Sequence, residues 1–442
     1  LRRRPESVDP PSSSNLPAGA FASRRTRVRR LLTMAELSVL IVNYNSWREC
    51  AQAIASLRQN GPTRPDGSPM PFECIVVDNL SPQRDPALIA AVEHELRLLA
   101  EQQQDPLAGR LLMHTENGGY SKGMNVAFGH SRGRWILVSN PDLIYAPGML
   151  SKLQRRLESD PEAGITVPKG YFDGEQQGHL PPNTLPTLWD LLVTMLGEYS
   201  TTVQRWYSRR LARRWVATWD SQQAITLPMM SGCLFLIERA FFERIGRFDE
   251  RYPLYYEDAD LSVTIRKAGR TIVQLHDAKL AHFVNRSGMT DTELIWSRHA
   301  KSRAAFYRKW YGAFGEWLLR TTTRVMQSKR LAKWRRFAPP PPFTDLGAST
   351  GPPRLQFDRH CERFVVLLSM DRRFYLAAGI FGSGDHWTPT PAMFAVFVYA
   401  QYQFLAYDLS GGGMRLLGSW QYQCQSHLGH TWVPAAAAGA AT

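Results

Sequence analysis

Glu257, Asp258 and Asp260 fall within four residues, directly behind Tyr255 and Tyr256 and ahead of a helix-like run through Leu261, Ile265 and Ala268. Unpaired carboxylates crowded together repel, and each tends to raise the pKa of its neighbours. Set beside aromatic rings, such a group suits a metal, another cation or a proton transfer. The same acids would equally suit the first turn of a helix, where they complement the dipole and cap free N–H groups. Three other polar positions bear on the choice. Asp78, Asn117 and Asp142 each follow closely on a short apolar run.

Those runs have to place the polar residues. Leu37–Val42 reads as a buried strand, and Ser46 with Glu49 as a capping box. Trp47, Cys50, Ala51, Ile54 and Leu57 then mark one helix face, which Gly61 can end. Cys74–Val77, Leu111–His114 and Arg134–Ser139 read as further strands, with helices over Ala87–Gln104 and Tyr120–His130 between them. Strands alternating with helices imply a mostly parallel sheet covered on both faces. In such sheets ligands bind at the carboxyl ends of the strands, where Asp78, Asn117 and Asp142 fall.

The 442 residues suffice for two or three domains, and no apolar run is long enough to cross a membrane. The basic N-terminus lacks the apolar core of a signal peptide. Five scattered cysteines without a CxxC pair suit a reducing compartment and exclude a zinc ribbon. The net charge of +14 is uneven. Residues 1–34, 205–214 and 298–336 carry +6, +5 and +11, leaving the remainder at −8. Basic appendages on an acidic body suit an anionic membrane surface or nucleic acid, although solvated helix faces would look the same.

Residues 1–33 read as a disordered basic arm, with Met34 as the natural start. The main α/β domain is expected over 34–290, with a Trp- and Arg-rich helical insert at 187–220. A basic helical extension over 291–337 and a Pro-rich linker over 338–353 follow. Arg363–Leu368, Ala395–Tyr399 and Tyr402–Asp408 read as strands of a small all-β sandwich over 354–433, ahead of a disordered tail at 434–442.

From Leu37 to Gly312 the chain resembles the inverting family 2 glycosyltransferases of the GT-A fold, especially rhamnosyltransferase-like members. The resemblance rests on Val42-Asn43-Tyr44-Asn45, Val76-Val77-Asp78-Asn79-Leu80-Ser81, Glu116-Asn117-Gly118-Gly119-Tyr120 continuing to Asn125, and Asn140-Pro141-Asp142. Gly232-Cys233, Gly246 through Glu250, Glu257-Asp258 and His282 complete it.

Glycosyl transfer needs a held base and diphosphate, a neutralised leaving group and an acceptor hydroxyl that loses its proton. The resemblance implies that Asp78 accepts the N3–H of a uracil or thymine base; an Asx turn with Ser81 is the alternative. Asn43, Asn117, Gly118, Asn125 and Asn140 are implied on the donor side. Asp142 and His282 are implied ligands of a divalent cation, Mg2+ or Mn2+, with Asn140 standing where the family's metal motif has its first Asp. Asp258 matches the catalytic base, and one base opposite the leaving group implies inversion. Glu257 and Tyr256 are expected on the acceptor side. Implied substrates are a nucleotide-sugar donor, dTDP-rhamnose before UDP-hexoses, and a glycan or lipid-linked acceptor of bacterial surface polysaccharide synthesis.

The expected location is cytoplasmic, peripheral at the inner face of the plasma membrane. Nucleic acid is not an expected partner, because the basic runs lie outside the sheet and no helix-turn-helix, zinc finger or aromatic RNP strand is present. A catalytically dead carbohydrate-binding or scaffold protein is the remaining alternative, raised by Asn140 and opposed by Asp258. Residues 365–374 resemble the strand texture of fibronectin-like sandwiches and suggest a glycan-binding or assembly module.

Overall fold

The structure, a computed structural model, describes residues 35–283, 292–335, 343–397 and 400–425. The expected basic arm, the start at Met34, the proline run and the tail lie outside them. The first half runs β1 (Leu37–Asn43), α1 (Trp47–Gln59), β2 (Phe72–Asp78), α2 (Pro86–Gln103), β3 (Gly109–Met113), α3 (Tyr120–Gly129), β4 (Trp135–Ser139), β5 (Leu143–Tyr145), α4 (Met149–Ser159), β6 (Ala163–Tyr171) and β7 (Gly178–His179). Then come α5 (Leu188–Tyr199), α6 (Thr201–Asp220), β8 (Ile225–Thr226), β9 (Leu234–Glu238), α7 (Arg239–Arg244), α8 (Glu257–Lys267), β10 (Thr271–His282) and α9 (Thr292–Gln327), which kinks at Gly312.

β3, β2, β1 and β4 lie side by side and parallel; β9 follows antiparallel, then β6, which pairs parallel with β10. Both faces of the central strands are buried, so they read as unbroken apolar runs. Val39 and Ile41 face a core with Cys50 and Ile54 of α1, Val92 and Leu96 of α2, and Leu153 of α4. Leu40 and Val42 face the opposite core, with Met124 and Phe128 of α3, Phe242 of α7, and Ile265 of α8. The expected capping box at Ser46 does not form: its hydroxyl donates to Tyr44 O at 3.4 Å, without capping the helix. One forms instead at Thr187 and Asp190, opening α5.

The C-terminal region is all β apart from a short helix: β11 (Thr344–Ser349), β12 (Leu355–Ser369), β13 (Ala378–Trp387), α10 (Pro391–Phe394), β14 (Gln401–Asp408) and β15 (Arg415–Cys424). Residues 395–397, expected in a strand, instead end the turn of α10, whose start Pro391 and the Thr390 cap define. These strands run β11-β15-β14-β12-β13 and continue into the main sheet, where Gly379 and Ile380 pair with His179 and Gly178 of β7. One face packs on α6, with Leu211, Trp215 and Trp219 against Val365, Leu367 and Leu405. The five cysteines are buried, and none of them forms a disulfide.

Candidate active site

The parallel register brings the first polar group together. Asn43 and Asp78 are paired at the carboxyl ends of β1 and β2, and Asn43 Nδ2 donates to Asp78 Oδ1 at 3.1 Å. Asp78 is fully buried and also accepts from Ser81 N, the Ser81 hydroxyl and Arg84 Nη2 at 3.1 Å. Four donors fill the acceptor sites of one carboxylate. The Asx turn with Ser81 is thus present, and a base N–H reaching Asp78 would have to replace Arg84, the most exposed donor.

Asn117 closes the next loop. Its Oδ1 accepts from Asn79 Nδ2 at 3.0 Å, Gly119 N at 3.2 Å and Arg298 Nη1 at 2.7 Å, while its carbonyl accepts from Arg298 Nη2 at 2.9 Å. These donors orient both amides and leave the buried Asn79 Oδ1 without a donor. Arg298, from α9, places a cation at this loop that no strand-end pattern announced. Gly118 lies against the Lys122 stem. Asn125 does not join the group: its Nδ2 donates to Phe248 O and Glu250 Oε1, both at 2.9 Å, and ties α3 to residues 248–250.

Asn140 and Asp142 occupy the turn between β4 and β5. Antiparallel pairing of β5 with β10 sets His282 opposite Leu143 and so beside Asp142, with His282 Nε2 at 3.2 Å from Asp142 Oδ1. Burial pushes the imidazolium down, but the Asp142 carboxylate and Cys233 outweigh it and raise the histidine to about 10. Asn140 Nδ2 lies 3.4 Å from the same His282 nitrogen, and Tyr120 Oη reaches both Asn140 Oδ1 and Gly232 O. Among the described residues no three His, Cys, Asp or Glu converge to hold an ion by themselves. The Asp142–His282 separation is nonetheless close to the roughly 3 Å between adjacent ligands of an octahedral ion with about 2.1 Å bonds. As it stands the pair is an ion pair, so a cation completed by diphosphate oxygens and water would have to displace the His282 proton.

Asp258 sits in the first turn of α8. Its Oδ1 accepts from Ala259 N at 2.8 Å and its Oδ2 from Asn183 Nδ2 at 3.2 Å, with Gly232 N–H a further donor. A Cβ on Gly232 would lie 3.1 Å from the Asp258 Cβ, so a side chain there would press on it. Burial raises the Asp258 carboxyl to about 6, with those N–H groups holding it from going higher. Glu257 is raised well above the carboxylate range by burial and by Asp258, and its Oε2 has no partner. Tyr255 and Tyr256 both adopt left-handed backbone, φ 62 and 66°, which bulky residues rarely accept. Such strain collects at functional sites. Here the ring of Tyr256 is held against His299 and Phe306, each at 5.5 Å. Asp260 belongs to the scaffold: Lys309 Nζ and Trp310 Nε1, both at 2.8 Å, and Tyr252 Oη bind it and fasten α9 to α8.

Asp258 and Asn183 open into a cleft of about 600 Å³ walled by Tyr255, Tyr256, Trp296 and Leu376. Asn183 lies in a loop with no motif around it, and sequence alone offered no signal for it.

Residues 38–246 match the family model "Glycosyl transferase family 2". The N-acetylglucosaminyl-diphospho-decaprenol L-rhamnosyltransferase of Mycobacterium tuberculosis is 26% identical over 196 residues, 42% of this chain and 60% of that protein. The chain thus spans about three fifths of that relative's length. The rhamnosyltransferase WbbL of Escherichia coli is 23% identical over 261 residues, 55% of this chain and 87% of that one. Among solved structures, the mannosyltransferase PcManGT from Pyrobaculum calidifontis in complex with GDP-Man and Mn2+ aligns with a TM-score of 0.40 and 18% identity, covering 71% of this chain and 84% of that one. Asp258 and His282 lie beyond the matched segment. The segment that matches the family 2 glycosyl transferase model, a little under half of the chain, contains the parallel strands and the motif-bearing loops at their ends.

Proposed function

We propose that this protein transfers a sugar, with inversion, from a nucleotide diphosphate sugar to a glycan or lipid-linked acceptor of a bacterial surface polysaccharide. The observation that carries this reading is Asp258: one carboxyl raised to about 6, oriented by Ala259, Gly232 and Asn183, and facing a cleft. A base titrating just below neutrality is ionised at physiological pH yet still accepts a proton readily.

In this reading Asp258 takes the acceptor's hydroxyl proton as that oxygen bonds to C1 and the C1–diphosphate bond breaks. Attack and departure on opposite faces invert C1. Glu257 and Tyr256 orient the acceptor. Asn43, Asp78 and Asn117 with Gly118 frame the donor at the strand ends, and Arg298 adds positive charge beside them. A divalent cation, Mn2+ or Mg2+, would be held by Asp142 and His282, with Asn140 beside them, and would neutralise the leaving diphosphate. The names of the two relatives support rhamnose as the transferred sugar, and dTDP-rhamnose is the first donor to test, UDP-hexoses next.

A peripheral site at the inner face of the plasma membrane belongs to the same reading. Among the described residues no helix is long and apolar enough to cross a membrane. Trp206 of α6, Phe314 and Trp317 of α9, and Trp334 in the turn that follows α9 are exposed among Arg and Lys residues. A screen of nucleotide sugars with Mn2+ or Mg2+, read by thermal shift and donor consumption, tests the function. A ligand at about 100 times its Kd should add close to 3 kcal/mol and raise the melting temperature by several degrees. If no nucleotide diphosphate sugar shifts or is consumed, the assignment fails.

A further inference from the structure

Part of the Asp258 cleft comes from a region that the family match does not reach. Tyr375 and Leu376, in the loop between β12 and β13, line it together with Trp296 of α9. An exposed leucine on a loop is ordinary by itself. This one is held out by fixed neighbours. The Ser369 hydroxyl donates to Leu376 O at 2.7 Å, and Arg373 pairs with Glu198 of α5 at 2.9 Å. Phe374, at φ 55° and 1% exposed, is sunk into the core shared with α6, and Tyr375 meets Tyr207 edge-on at 5.4 Å. A left-handed Phe costs energy, which burial of its ring offsets. The outcome is a Leu376 that is 53% exposed on the rim of the cleft, with Trp296 66% exposed on another part of the same rim.

We propose that the β12–β13 loop is an acceptor-selecting element. Leu376 with Trp296 binds an apolar part of the acceptor next to the hydroxyl that Asp258 deprotonates, so the C-terminal β region completes the acceptor site. The inference rests on Asp258 being the base. The cleft joins a polar floor, Asp258 and Asn183, to an apolar rim. That combination fits a glycoside bound through its aglycone as well as its sugar.

The test is calorimetric titration of the full chain with methyl and hexyl β-glucoside, which share a head group. Each buried methylene should strengthen binding about two- to fourfold, so hexyl should exceed methyl by about tenfold or more. Leu376→Asp should cut this preference below about threefold, with the melting temperature within about 2 °C, as for an exposed position. Met370→Asp, at an equally exposed residue of the same loop outside the cleft lining, should keep the preference. Equal binding of the two glycosides, binding of neither, a preference that survives Leu376→Asp, or one lost equally in Met370→Asp would each overturn the inference. The readout needs no turnover. Sugar transfer without an alkyl preference would remove this inference alone. A Leu376-dependent preference in a protein that transfers no sugar would remove the functional reading and leave the apolar subsite.

Discussion

Asp258 meets two opposing demands: burial that favours the neutral acid and four hydrogen-bond donors, its own N–H among them, that favour the anion. Asp258→Asn should keep donor binding and lower transfer by about 10²–10⁴, as for other general bases. Near wild-type turnover would exclude the mechanism. With the carboxyl at about 6, transfer should rise with pH through that value and level off above it, measured as kcat against pH. Stability runs the other way for this group. Its folded value lies above its ordinary 3.8, so its favourable contribution is complete below about 4 and is lost as pH rises through about 6. Asp142→Ala should abolish the dependence of nucleotide binding on Mn2+ or Mg2+. Equal nucleotide affinity of the wild type with and without EDTA would count against Asp142 as a ligand.

Among the elements, the turn before α8 helps to place Asp258. Residues 252–256 are pinned by α3: Tyr120 N donates to Pro253 O at 2.8 Å, and the Ser121 hydroxyl to Tyr252 O at 2.6 Å. Gly119 makes this contact possible. Its φ is +89°, and a Cβ there would lie 2.3 Å from Pro253 O. Gly119→Ala should therefore push the 253–258 segment away from α3. The expected destabilisation is about 1–3 kcal/mol, as for overpacking against backbone, with a larger proportional loss of turnover. Denaturant unfolding and steady-state kinetics of the same variant check both. Unchanged stability would show that the turn relaxes freely.

The molecule as a whole joins the α/β sheet to the C-terminal strands through β7–β13 and the core around α6. Removing residues 343–442 would uncover Leu211, Trp215, Trp219 and Tyr207, all now buried. Such a truncation should lose cooperative unfolding and aggregate; a soluble, fully active 35–335 fragment would show the β region to be dispensable. The basic, Trp-bearing helix faces belong to this scale too. Each Lys or Arg near an anionic surface contributes about 1 kcal/mol, so four or five engaged side chains suffice for reversible attachment. The protein should pellet with anionic vesicles at low salt, leave them at high salt and ignore neutral ones. Remaining in the supernatant with anionic vesicles at low salt would favour a soluble acceptor.

Local and periodic features were legible in the sequence. Apolar runs alternating with helices pointed to the mostly parallel sheet, although they did not show that the equally buried β9 lies antiparallel between β4 and β6. The polar residues that end those runs marked the strand-end loops, and the motif order carried the resemblance to family 2 glycosyltransferases. Partnerships between distant residues were not legible. Nothing local to Asn183 shows that it orients Asp258, nor does the basic run around Arg298 show that this one guanidinium grips Asn117. Asn125 fits the motif yet bonds residues 248–250. The double left-handed turn at Tyr255 and Tyr256 runs against the preferences of both residues and persists only because α3 and α9 hold it. The proline run and the change of texture after it suggested a separate β module. Whether its strands would pack on one another or on α6 depended on long-range contacts, and the aromatic face of α6 decided that Leu376 should reach the cleft.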